Sequence, residues 1–145
     1  MLVLIRGAGD LASGVSLRLH RAGFPVVMTD LPKPTAIRRT VCFSQAIRFG
    51  TTMVEDAEGV CCHTAREVKA ALDAKKIPVL PDETAKCKDW LHPDVLVDGI
   101  LAKKNLGTKM SDAPLVIALG PGFCAGRDCH AVVETMRGHT LGRVI

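Results

Sequence analysis

The chain of 145 residues has no tyrosine, one tryptophan and four phenylalanines. It therefore lacks the aromatic platform on which single-strand nucleic-acid binders stack bases. No run of five or more Lys/Arg occurs and the formal net charge is only +4, a balance that suits small anionic ligands better than nucleic acid. No apolar stretch approaches twenty residues, and the first apolar run breaks at Arg6-Gly7. Neither a membrane-spanning helix nor a signal sequence is expected, and a cytoplasmic protein is the simplest reading. Among the six cysteines there is no C-x-x-C pair, so reduced thiols and no metal site are expected. Cys61-Cys62-His63 comes nearest to a metal cluster, yet adjacent strand residues point to opposite faces and would not reach one ion together. Also missing are G-x-S-x-G, H-E-x-x-H and the P-loop lysine motif. No catalytic residue is assigned, and internal repeats are absent.

What is present begins at once. Leu2-Val3-Leu4-Ile5 reads as a strand buried on both faces. It runs into Gly7-Ala8-Gly9-Asp10-Leu11-Ala12, the G-x-G-x-x-G/A fingerprint in its alanine form. The first glycine permits the tight turn, the second lets a pyrophosphate approach the backbone, and the small third residue lets helix and strand lie close. A helix with Leu11, Val15, Leu19 and Ala22 on one face should follow and end at Gly23. Pro25 to Thr29 reads as the second strand, with Asp30 at its end, where an acid hydrogen-bonds an adenosine ribose. Packing alone could also keep such glycines in a scaffold without a ligand.

Leu31-Pro32-Lys33-Pro34 cannot continue a central strand. Arg38-Arg39 beyond it are candidates for an anion, with a solvated pair as the bland alternative. Ser44 to Ile47 reads as a capped helical turn, Thr51–Val54 and Val60–His63 as strands of a hairpin turning over Glu55 to Gly59, and Thr64-Ala65-Arg66-Glu67 as a capping box. Ile77 to Leu80 is a strand that Pro78 pushes towards an edge or a strand start. Thr84 to Leu91 should be a short helix carrying Trp90 into the core. Val95-Leu96-Val97 and Leu115 to Leu119 are buried strands, and beyond them lie Asp98, Lys103 and the loop Gly120-Pro121-Gly122. Lys103 could hold a phosphate as a point charge, or simply be solvated. The two glycines allow close backbone approach to a ligand.

The expected architecture is an α/β, Rossmann-like three-layer domain with a mainly parallel sheet and a small β-hairpin excursion, a single domain over residues 1–145. The chain stops on the apolar pair Val144-Ile145, an ending more typical of the N-terminal part of a longer protein. The residues of the candidate site are Gly7, Ala8, Gly9, Asp10, Leu11, Asp30, Arg38, Arg39, Lys103, Gly120 and Gly122.

Ile5 to Gly14, Thr29-Asp30-Leu31-Pro32 with Pro34 to Arg39, Asp98 to Asn105, Leu119 to Phe123 and Val133 to His139 together resemble the YqeB-type accessory proteins of selenium-dependent molybdenum hydroxylases. The resemblance runs through almost all of the chain, and members of the family are longer. It implies a Rossmann-like domain acting in maturation of a molybdenum hydroxylase, comparable with the xanthine dehydrogenase accessory proteins that handle molybdenum cofactor. The expected ligand is then NAD or another dinucleotide, a dinucleotide form of molybdopterin included, and the expected partner is a molybdenum hydroxylase apoenzyme. Self-association into a homo-oligomer is left open. The competing reading is an NAD-dependent oxidoreductase, for which the chain offers Asp98, His130 and Glu134 but no spacing that ties them together.

Overall fold

In the computed structural model the described residues are 1–32, 42–101, 105–135 and 144. The continuous apolar run at the start becomes β1 (Val3–Arg6), buried at every position. It pairs in parallel with β2 (Val26–Asp30) on one side, Val3 opposite Val26, and with β6 (Val95–Asp98) on the other, Val3 opposite Val95. Beyond β6 come β7 (Leu115–Leu119) and β8 (Ala131–Val133), and beyond β2 come β5 (Ile77–Pro81), β4 (Ala57–Cys61) and β3 (Thr51–Val54). The sheet order is β3-β4-β5-β2-β1-β6-β7-β8, and β3–β4 is its antiparallel pair.

Two apolar clusters divide by strand face, as the alternation of side chains requires. Val3, Ile5, Val26 and Met28 pack with Ala12 and Leu17 of α1 (Asp10–Arg21) and Ala46 of α2 (Gln45–Phe49). Leu4, Val27, Leu96 and Val116 pack on the other face with Val68 and Ala71 of α3 (Ala65–Asp73) and with Cys87, next to α4 (Lys88–Leu91). Three layers result, helices on both sides of a mostly parallel sheet. The strands expected near Leu2, Val26, Val95 and Leu115 lie side by side in it.

Details depart from expectation where small residues decide the packing. The hairpin turns over Glu55-Asp56 alone, with Val54 opposite Ala57, and its second strand pairs in parallel with β5, so it widens the main sheet. Ala57 and Gly59, expected in the turn, are buried strand residues, and the Phe43 ring fills the space beside Gly59. A Cβ on Gly59 would lie 2.8 Å from the Phe43 ring. The buried face of α1 is Ala12, Ser13, Ser16 and Leu17, with Val15 and Leu19 at its flank and Leu11 turned outward. Ser44 precedes α2 without a side-chain cap bond, and its hydroxyl is buried without a partner. Pro78 is the second residue of a strand flanked on both sides; it lies opposite Val60 of β4, and the pairing with β2 starts one residue later, at Val79. Trp90, expected in the core, is 41% exposed on α4, a single turn with no buried residue of its own.

Candidate functional site

The chain leaves β1 towards β2 and leaves β6 towards β7, so the order reverses between these neighbours. Crevices for ligands form outside the carboxyl ends of strands at such a point. Here the backbone is drawn tight: Gly7 donates to the Thr29 carbonyl at 2.7 Å, and Gly99, next after β6, donates to the Arg6 carbonyl at 2.8 Å. Gly7 has φ +101°, and a Cβ on it would meet the Gly99 carbonyl oxygen at 2.9 Å; one on Gly99 would meet the Ala12 Cβ at 3.0 Å. Gly7, Ala12 and Gly99 are thus small so that two loops and a helix can touch.

Gly9 is a different case. Its backbone is extended, φ −72° and ψ −168°, and a Cβ there would have nothing within 4 Å. It is the N-cap of α1 and provides no side-chain cap bond, so the first-turn N–H groups get no oxygen from it. Ser13 fixes the loop from below, its hydroxyl donating to the Ala8 carbonyl at 3.2 Å and accepting the Phe43 N–H at 2.8 Å.

Above this loop lies a cavity of about 600 Å³. Gly7, Ala8, Gly9, Asp10, Leu11 and Asp30 all line it, joined by Thr29, Gly99 and Ile100. Asp30 accepts the Leu31 N–H at 2.8 Å and also a backbone bond from Ala8. Burial holds its carboxyl above the usual range, and those two backbone bonds oppose the rise. Gly120 and Gly122 stand at the end of β7 outside this lining, Gly120 closing against Leu101, which does line it. Arg38, Arg39 and Lys103 lie outside the described residues.

Sequence reasoning missed Arg6. It is 4% exposed and forms part of the cavity wall. Its Nη1 donates to the Thr108 hydroxyl at 2.8 Å, and its Nη2 donates to the carbonyls of Leu106 at 3.1 Å and Glu83 at 3.3 Å. Thr108 in turn donates to Asp98 at 2.6 Å, and Asp98, 1% exposed, also accepts the Ile100 N–H. Asp98 therefore braces the loop beneath the cavity and is absent from its lining. The available signal was a charged residue in line with the last position of a strand buried on both faces, where an isolated cation is costly.

The other polar candidates do not assemble. His130 precedes β8, at the amino edge of the sheet, and its Nδ1 accepts the Val116 N–H at 2.9 Å. Glu134 follows β8 at the opposite edge. Among the described residues no group of three metal-ligating side chains comes together, although Cys61 Sγ and His63 Nε2 are 3.6 Å apart. Burial pushes the Cys61 and Cys129 thiols up and raises Cys62 to about 11, which suppresses the nucleophilic thiolate.

No protein-family model and no solved structure matches the chain. Over 144 residues, 99% of its length, it is 53% identical to a protein of Escherichia coli (strain K12) named "Uncharacterized protein YqeB". The chain spans 27% of that relative. The similarity to a YqeB protein expected from the motifs is thus present at the level of sequence. Among the described residues no helix is long and apolar enough to cross a membrane.

Proposed function

We propose that the cavity binds a nucleotide, most simply a dinucleotide, with its pyrophosphate at the start of α1 and a ribose against Asp30. The observation that carries this reading is Gly9: an N-cap with no side chain, opening onto a 600 Å³ cavity that Asp30 also lines. Backbone N–H groups and the helix dipole favour an anion there. Asp30 accepts backbone bonds from Leu31 and Ala8, and a carboxylate, with about four lone-pair sites, has capacity to accept ribose hydroxyls as well. On the resemblance to YqeB-type accessory proteins, the biological role is maturation of a selenium-dependent molybdenum hydroxylase, with a dinucleotide form of molybdopterin among the ligands and the apoenzyme as partner.

Thermal unfolding with NAD, NADP, cytidine nucleotides and molybdopterin species tests the reading, because a ligand of the folded state alone raises the midpoint. Gly9→Val should fold as the wild type does, its backbone being one any residue adopts, and should lose the midpoint shift by filling the space of the pyrophosphate. An unchanged shift in Gly9→Val, or none with any member of the panel in the wild type, would refute the site.

A further inference from the structure

Arg6 sits on the face of β1 opposite α1. Leu4, two residues earlier, belongs to the cluster under α3, whereas Val3 and Ile5 pack with α1. Its guanidinium therefore points away from the helix N-terminus, towards the loops that follow β5 and β6, where Glu83 and Leu106 also line the cavity. A guanidinium carries five N–H donors, and the contacts of Arg6 are one hydroxyl and two carbonyls. Nε is buried with no partner. The contacting oxygens are all neutral, and the ion pairs among the described residues belong to Arg21, Lys76 and Arg127. Asp98 is held one hydroxyl away, behind Thr108. A buried cation without a carboxylate against it is costly, and charge-assisted bonds to a carboxylate or phosphate are what its fork fits best.

We propose that Arg6 forms a second, oxyanion-binding subsite of the cavity, on the far side of β1 from the start of α1, which takes a carboxylate or phosphate group. The proposal rests on the reading of the cavity as a ligand site. The oxyanion comes either from the nucleotide itself or from a separate small substrate bound beside it. Thr108 and the carbonyls of Glu83 and Leu106 hold the guanidinium plane, leaving Nε, which has no partner, and the second N–H of Nη1 as the donors that the ligand completes after a small shift of the surrounding atoms.

The test is nuclear magnetic resonance of the wild-type protein labelled with ¹³C and ¹⁵N, following the Nε–H of Arg6, assigned through its bonded correlations to the Arg6 backbone. Inorganic phosphate, acetate and NAD are titrated separately, and phosphate again on NAD-saturated protein. A saturable shift of the Arg6 signal is expected with phosphate or acetate, and it should persist in Gly9→Val. A shift with NAD alone assigns the oxyanion to the nucleotide, and a further shift with phosphate on saturated protein assigns it to a second molecule. Arg6→Lys should weaken phosphate binding by about tenfold or more, the loss expected for a charged hydrogen bond. If Arg6→Lys does not fold, the wild-type titrations decide. An Arg6 signal unmoved by every probe overturns the subsite, and NAD binding that survives leaves the nucleotide reading standing. A signal that answers phosphate while no nucleotide binds sinks the nucleotide reading alone.

Discussion

Alanine at Gly7 and alanine at Gly9 separate two uses of one residue type. At Gly7 the new Cβ would meet a backbone carbonyl at 2.9 Å from a φ of +101°. Both strains act on the folded state, so unfolding in urea should show a loss of about 2 kcal/mol or more. At Gly9 neither strain exists, and the loss should be no more than the roughly 0.5–1 kcal/mol of a poorer N-cap. The motif placed both glycines correctly in the sequence, but which one serves packing and which faces open space depends on Gly99, far along the chain. Asp30 adds a pH effect at the same scale. Its carboxyl titrates above its ordinary value in the fold because burial disfavours the charge. Between the unfolded and folded values the native state holds the extra proton, so stability falls as pH rises through that window and the penalty persists above it. Asp30→Asn, which can still accept the Leu31 N–H, should gain stability over wild type as pH rises from 4 to 7. Denaturation midpoints for both proteins across that range check the sign, and a gain that shrinks with pH would contradict it.

Local chemistry made some elements readable ahead of the structure. In α3, Thr64 Oγ1 accepts the Glu67 N–H at 3.2 Å and the Glu67 carboxylate accepts the Thr64 N–H, as the T-x-x-E spacing requires. Thr64→Ala should therefore cost about 1 kcal/mol, read from the denaturation midpoint, and leave the cavity's ligand response unchanged. The four central strands were equally legible, since a strand buried on both faces must be a continuous apolar run. Gly59 looks like a turn residue, yet it is a buried strand position with the Phe43 ring against it. That Ala12 lies close to its surroundings was readable from the fingerprint, but its partner Gly99 was not. Partners separated by 16 and 87 positions leave no trace in a local hydrophobic pattern. Arg6 escaped notice for the same reason: its partners Glu83, Leu106 and Thr108 come together only when the loops after β5 and β6 meet over β1.

At the scale of the whole molecule, the choice between NAD and NADP sets a long-range charge against a short-range one. The chain carries a net +4, which attracts NADP, the more negative dinucleotide, more strongly. That attraction is screened beyond about 10 Å at 0.1 M salt. Inside the cavity the described lining holds Asp10, Asp30 and Glu83 against one cation, Arg6, on the far side of β1. A 2′-phosphate about 4 Å from Asp30 is repelled by on the order of 4 kcal/mol in a partly screened site. The local term should win. NAD at a hundredfold excess over its dissociation constant should stabilise the fold by about 2.7 kcal/mol, and NADP at the same concentration should give a clearly smaller midpoint shift in 0.1 M salt. Asp30→Ala should narrow or invert the difference. Thermal unfolding of wild type and variant with each dinucleotide decides the matter: equal or larger stabilisation of the wild type by NADP would mean that cations other than Arg6, with Arg38, Arg39 and Lys103 the first to replace, outweigh Asp30.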